Sequence, residues 1–166
     1  MNIEARIELL GKLGDFILEQ DKNDVSGELS TVVHQSFIEN KWFTVDNQYA
    51  ALKAIAQQFL NRDLLKVWAA NYQNADSDYP NKTVGIVMAG NIPLVGFQDW
   101  LCVFTYGYKG LVKLSDKDKR LFPFLIKKLA SWDFQVWDYI HFTEKLADFE
   151  AVIATGSNNT SRYFEQ

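Results

Sequence analysis

"TVGIVMAGNIPLVGFQDWLCVFTYG", residues 83–107, decides the fold. Its first seven residues are β-rich and apolar on both faces, as a strand buried inside a parallel sheet must be. Gly90 then permits a sharp turn. Pro93 suits the first turn of the strongly apolar helix predicted over residues 92–107. Working downstream, the same unit recurs. "GLVKL" (110–114) reads as a second short strand. "DKDKRLFPFLIKKLASW" (116–132) reads as a helix with Leu121, Phe124, Leu125 and Leu129 inward. Pro123 fits its first turn only if the helix starts near Arg120. "FQVWDYIHF" (134–142) holds a third strand and "AVIAT" (151–155) the last. Strands alternating with helices define an α/β fold with a doubly wound, Rossmann-like parallel sheet.

Upstream the texture is helical. Ile3, Ile7, Leu10, Leu13 and Ile17 recur at steps of three and four after a possible Asn2 cap, one apolar stripe on a helix. A second helix is predicted over residues 28–40, with Leu29, Val32, Val33 and Phe37 inward. A third follows Thr44 or Asp46 as cap, with Tyr49, Leu52, Ile55 and Phe59 as its stripe. Residues 62–72 continue in the same style through Leu64, Leu65, Val67 and Trp68. "NADSDYPNK" (74–82) gathers Asp, Ser, Asn and Pro and reads as a linker. The expected organisation is therefore an N-terminal helical region, residues 1–80, and a partial dinucleotide-binding α/β domain, residues 81–166.

Composition sets limits on function. Hydrophobic residues make up 48% of the 166 and charged residues 23%, so the chain can bury an ordinary globular core. A net charge of −4 argues against general nucleic-acid binding, but the charge is uneven. Residues 1–80 carry 7 basic and 12 acidic side chains and residues 81–166 carry 10 and 9, which leaves the second part readier to meet an anion. A single cysteine, Cys102, excludes an internal disulfide framework and fits a reducing cytoplasm. It lies in an apolar helix without a neighbouring base and reads as a buried structural thiol. His34 and His141 with one Cys give no metal-ligand spacing. No apolar run approaches the ~20 residues of a membrane span, and no leader-like layout opens the chain.

Three short segments follow predicted strands, where open α/β sheets hold their ligands. In "AGNIP" (89–93), Asn91 offers an amide donor that could polarise a carbonyl oxygen; alternatively it caps the next helix. In "VKLSDKDK" (112–119), Lys113, Ser115 and Asp116 place a cation, a hydroxyl and a carboxylate within four residues. That set could grip ribose hydroxyls or phosphate, or be a solvated charge run capping a helix. In "TGSNNT" (155–160), Gly156 and Ser157 supply a tight turn and donors at a helix start. Neither the dinucleotide glycine fingerprint nor a P-loop is present. Together the three point to a nucleotide or dinucleotide.

"VGIVMAGNIPLVGFQDWLCV", "GLVKLSDKDK" and "FEAVIATGSNNTSRYFE" together resemble the acyl-CoA reductases of the LuxC type, within the aldehyde dehydrogenase superfamily. The helical lead-in is similar to that of the stand-alone reductases. The resemblance implies an enzyme that reduces a fatty acyl-CoA or acyl-carrier thioester to an aldehyde. It uses a nicotinamide cofactor, NADP(H) more often than NAD(H), and a cysteine acyl-enzyme. Asn91 then matches the donor to the substrate's carbonyl oxygen. Lys113, with Ser115 and Asp116 after it, matches the segment that contacts the adenosine ribose, and Gly156 and Ser157 match the pair that faces the pyrophosphate. Departures are Gly90 and Ile92, where aromatic residues commonly flank the asparagine, and Leu114, where proline follows the lysine. Asp116 favours free ribose hydroxyls, whereas Lys117 and Lys119 favour a 2′-phosphate. The family's nucleophilic cysteine lies well downstream of the Thr-Gly-Ser loop, and Cys102 does not match it. The expectation is therefore an N-terminal, cofactor-binding portion that performs no acyl reduction alone and tends to self-associate. The rival reading is a non-catalytic nucleotide-binding or protein-interaction module.

Overall fold

A computed structural model of the chain describes residues 1–72 and 82–155. Within them lie six α-helices and four β-strands. Helix α1 spans Ile3–Glu19, and the Asn2 side chain caps it by accepting from the Ala5 N–H at 2.9 Å. Ile7, Leu10, Leu13 and Ile17 are buried, as the periodicity predicts. Helix α2 spans Glu28–Glu39, α3 Val45–Gln58 and α4 Arg62–Ala70. Thr44, rather than Asp46, caps α3 through the Asn47 N–H. On α4 the expected stripe is only half right: Leu65 and Ala69 turn inward, while Leu64 (55%) and Val67 (68%) stay exposed. The nine-residue helix meets α1 along one narrow face, Trp68 packs at the margin of the core, and Leu64 and Val67 fall on the sides left open to solvent.

Strands β1 (Thr83–Val87), β2 (Lys109–Lys113), β3 (Ile140–Phe142) and β4 (Ala151–Ala154) form one sheet, parallel throughout, in the order β3-β2-β1-β4. Helix α5 (Phe97–Tyr106) joins β1 to β2, and α6 (Leu121–Trp132) with a short 3₁₀ turn (Phe134–Asp138) joins β2 to β3. Both crossovers step the same way across the sheet, and right-handed connections therefore put both helices on one face. From β3 the chain returns past β2 and β1 to β4, with Leu146 and Phe149 standing over Gly85 on the other face. This is the strand order of a Rossmann-like half.

Two boundaries differ in an instructive way. Helix α6 begins at Leu121 with Arg120 at its N-cap, so Pro123 sits in the first turn, where no intrahelical N–H is needed. The helix predicted from residue 92 instead starts at Phe97, and Pro93 precedes it. Residues 91–96 form turns because Leu94 takes a left-handed backbone angle, φ 60°, which an α-helix cannot accommodate.

The core is continuous from the helices into the α/β part. Trp100 stacks on Phe104 (centroids 4.9 Å apart) and meets Phe122 edge-on at 5.5 Å, beneath the fully buried Ile86 and Val112. Helix α1 packs on both α5 and α6, and the buried Arg6 seals the joint by donating to the Thr105 carbonyl at 3.2 Å. Lys128 pairs with Glu28 at 3.0 Å, and Arg120 grips Glu39 with its guanidinium, tying α2 to α6. Among the described residues no helix is long and apolar enough to cross a membrane. Residues 74–81 of the predicted linker and the Gly156–Ser157 turn lie outside the described residues.

Candidate functional site

From β1 the chain steps one way to β2 and β3, while β4 lies on the other side of β1, so the strand order reverses between β1 and β4. In open parallel sheets the crevice outside the strand ends at such a point holds the ligand. Register brings the ends together: Val87 pairs with Lys113 on one side and with Ala154 on the other. The Met88 N–H donates to the Lys113 carbonyl (3.0 Å) and the Thr155 N–H to the Val87 carbonyl (3.1 Å), so three strand ends lie side by side. The Thr155 hydroxyl donates to the Asp99 carboxylate at 2.8 Å, holding the exit of β4 against the first turn of α5.

The loops after β1 and β2 touch directly. A β-carbon placed on Gly90 would lie 2.2 Å from the Ser115 hydroxyl oxygen, so only glycine allows this approach. One residue on, Asn91 is exposed, and its side chain makes no hydrogen bond among the described residues. Capping is not its role: α5 begins six residues later behind Gly96, without a side-chain cap. Asn91 borders a pocket of about 340 Å³ whose other walls include Trp42, Ala50, Ala51, Ile92 and Pro93. Trp42, at 87% exposure, forms its outer lip.

The second loop is more heavily engaged than its sequence implies. Lys113 Nζ donates to the Glu144 carbonyl at 2.6 Å. Asp116 is exposed and pairs with Lys119 at 2.6 Å; the lysine's hydrogen bond holds its carboxyl below the usual range. The Ser115 hydroxyl accepts from the Lys117 N–H at 3.2 Å. Neither Ser115 nor Asp116 caps α6, which starts without a side-chain cap. A ligand reaching Lys113 would have to displace or share the Glu144 carbonyl. Gly156 and Ser157, the other two candidates, lie outside the described residues.

One residue of this corner escaped the sequence reading. Asp118, inside a run read as solvated charge, is only 6% exposed. Its Oδ2 accepts from the Leu94 N–H at 2.8 Å, while Oδ1 has no partner among the described residues. Burial pushes its carboxyl above the usual range, partly offset by the Leu94 hydrogen bond. Alternation of Asp with Lys carries no signal that would set Asp118 apart from Asp116.

Cys102 is half-buried and borders an apolar pocket of about 200 Å³ with Phe59, Leu65 and Trp68. Burial, then the nearby Asp99 charge, push its thiol up, which suits a structural role. Among the described residues no His, Cys, Asp and Glu cluster could hold a metal. The fold and the crevice thus define a Rossmann-like α/β protein with a candidate ligand site at its switch point. Comparison with protein families, with curated proteins and with solved structures gives no match for the chain.

Proposed function

We propose that this chain is the cofactor-binding portion of an NAD(P)H-dependent reductase that converts an acyl thioester to an aldehyde. The observation that carries the reading is the Asn91 amide, unbonded among the described residues, beside the point where three parallel strand ends converge. A dinucleotide is long and polyanionic, and a switch-point crevice is where such a ligand lies across a parallel sheet. The donor set fits it: Ser115 and Asp116 suit ribose hydroxyls, and Lys113, Lys117 and Lys119 suit phosphate, with NADP(H) preferred to NAD(H). The nicotinamide group, when bound, supplies the hydride. Asn91 would donate to the thioester carbonyl oxygen as negative charge develops there. Gly90, by its approach to Ser115, keeps that amide close to the ribose-binding loop. The apolar pocket beside Asn91 supports an acyl substrate. The nucleophilic thiol belongs to a part of the enzyme outside these 166 residues, and the single half-buried cysteine fits a cytoplasmic setting.

Titration of the chain with NADPH and NADH, followed by nicotinamide fluorescence, tests the cofactor. Saturable binding is expected, weakened by Lys113→Ala. Absence of saturable binding for both cofactors overturns the reading. In the complete enzyme, Asn91→Ala should slow turnover by roughly 10²–10³-fold, the usual loss for one oxyanion donor. A second reading, an interaction module, is favoured by one feature. The outer edge of β4 pairs with no strand among the described residues, and Ala151, Val152 and Ala154 on it are exposed. Association through that edge is compatible with either function.

A further inference from the structure

The segment between β1 and α5 is held at two points. At its start Gly90 lies against Ser115; at its far end the Leu94 N–H is bound by Asp118. Leu94 is itself anchored, 4% exposed within the core, and its carbonyl accepts the Phe97 N–H at 2.9 Å where α5 begins. Its φ of 60° is one that residues other than glycine, asparagine and aspartate rarely adopt. A buried leucine does not choose that angle for its own sake, so something outside it must hold the turn. Asp118 is placed to do so. Its own N–H donates to the Ser115 carbonyl at 3.1 Å, closing a turn, and the neighbouring Lys117 carbonyl accepts from the Asn40 side chain at 3.1 Å. The acceptor for Leu94 is therefore braced by the β2–α6 loop and by the end of α2. Between the two fixed points lie Asn91, Ile92 and Pro93. Among the described residues no hydrogen bond orients the Asn91 side chain, so this backbone sets where it stands.

Burying a carboxyl group with one oxygen unpartnered is costly, and such a group calls for an explanation beyond stability. We infer that Asp118 is the positioning residue of the site: by accepting the Leu94 N–H it locks the 90–96 turn and so sets where the Asn91 amide stands. The catalytic half of this inference rests on the reading of Asn91 proposed above; the structural half does not.

The test has two arms. In the chain itself, the Leu94 amide must exchange slowly with solvent although it belongs to no helix or strand. Asp118→Ala should accelerate that exchange about 10- to 100-fold, the loss expected for a hydrogen bond to an ionisable acceptor, and shift the Asn91 side-chain NH₂ resonances. Asp118→Asn, which keeps an acceptor oxygen, should preserve both. Fast exchange in the wild-type protein overturns the inference even if Asp118→Ala fails to fold. In the complete reductase, Asp118→Ala should lower kcat more than it alters KM for the thioester, with Asp118→Asn restoring kcat. If Asn91→Ala slows turnover while Asp118→Ala changes neither turnover nor Leu94 exchange, the strut is refuted and the reading of Asn91 stands. If Asn91→Ala leaves turnover unchanged, that reading falls, and slow, Asp118-dependent exchange at Leu94 still upholds the strut.

Discussion

Replacing Gly90 with alanine inserts one methyl group where two loops already touch. The new β-carbon would lie 2.2 Å from the Ser115 hydroxyl oxygen, 2.7 Å from the Ser115 β-carbon and 3.0 Å from the Lys117 β-carbon. A rotation of Ser115 would move its oxygen away, at the loss of its bond to the Lys117 N–H, but its β-carbon cannot rotate out of the way. The loops after β1 and β2 must then part by about an ångström, an overpacking cost of about 1–3 kcal/mol. Stiffening the unfolded chain returns about 0.4–1 kcal/mol. The expected net loss is about 1–2 kcal/mol, or roughly 2–8 °C in Tm for a chain of this size. Urea unfolding followed by tryptophan fluorescence measures it, with Trp100 in the core as the reporter. Ser115→Gly in the same molecule removes both of the closest contacts. The double variant should therefore be more stable than additivity allows, by about 1 kcal/mol. A Gly90→Ala protein within about 0.3 kcal/mol of wild type, or strictly additive behaviour with Ser115→Gly, would refute the direct contact between the loops and with it the convergence on which the site depends.

Gly107 ends α5 in the left-handed conformation, φ 88°, with the Arg6 guanidinium 3.0 Å from where a β-carbon would stand. Gly107→Ala should cost about 1–2 kcal/mol from backbone strain, read as a lower urea midpoint; an unchanged midpoint would contradict that geometry. Cys102 should be alkylated by iodoacetamide more slowly than a free cysteine at pH 8. Burial and the Asp99 charge keep its thiol protonated there, so the rate should climb only as pH rises further. Mass spectrometry of timed samples checks this, and labelling as fast as free cysteine would show an exposed, activated thiol instead.

How far the residues alone carried the reading depends on the distance over which each signal acts. The stripes on α1, α3 and α6 are periodic along the chain, so Leu10, Leu13, Leu52, Leu125 and Leu129 could be placed inward without knowing their partners. The same reasoning overreached at α4, where Leu64 and Val67 share the helix with the buried Leu65 but stay more than half exposed. It also began α5 five residues early, because nothing in "NIPLVG" announces that Leu94 will be held left-handed by a residue 24 positions away. Asn91, Ser115 and Asp116 were found because each follows a strand, and Lys113 because it stands at the end of one. Their states were not: Asn91 unbonded among the described residues, Lys113 bound to Glu144, Asp116 bound to Lys119.

By itself, then, the order of amino acids determined the alternation of strand and helix, most of the buried stripes and the three places where loops follow strands, since each depends only on neighbours within a turn or two. Only the tertiary structure decided that β4 lies beside β1, that Gly90 meets Ser115, and that Asp118 is a buried brace while Asp116, two residues before it, is a surface ion pair. Burial and hydrogen-bond partners come from residues distant in sequence, and two aspartates in one charge run look alike until the fold brings Leu94 to one of them.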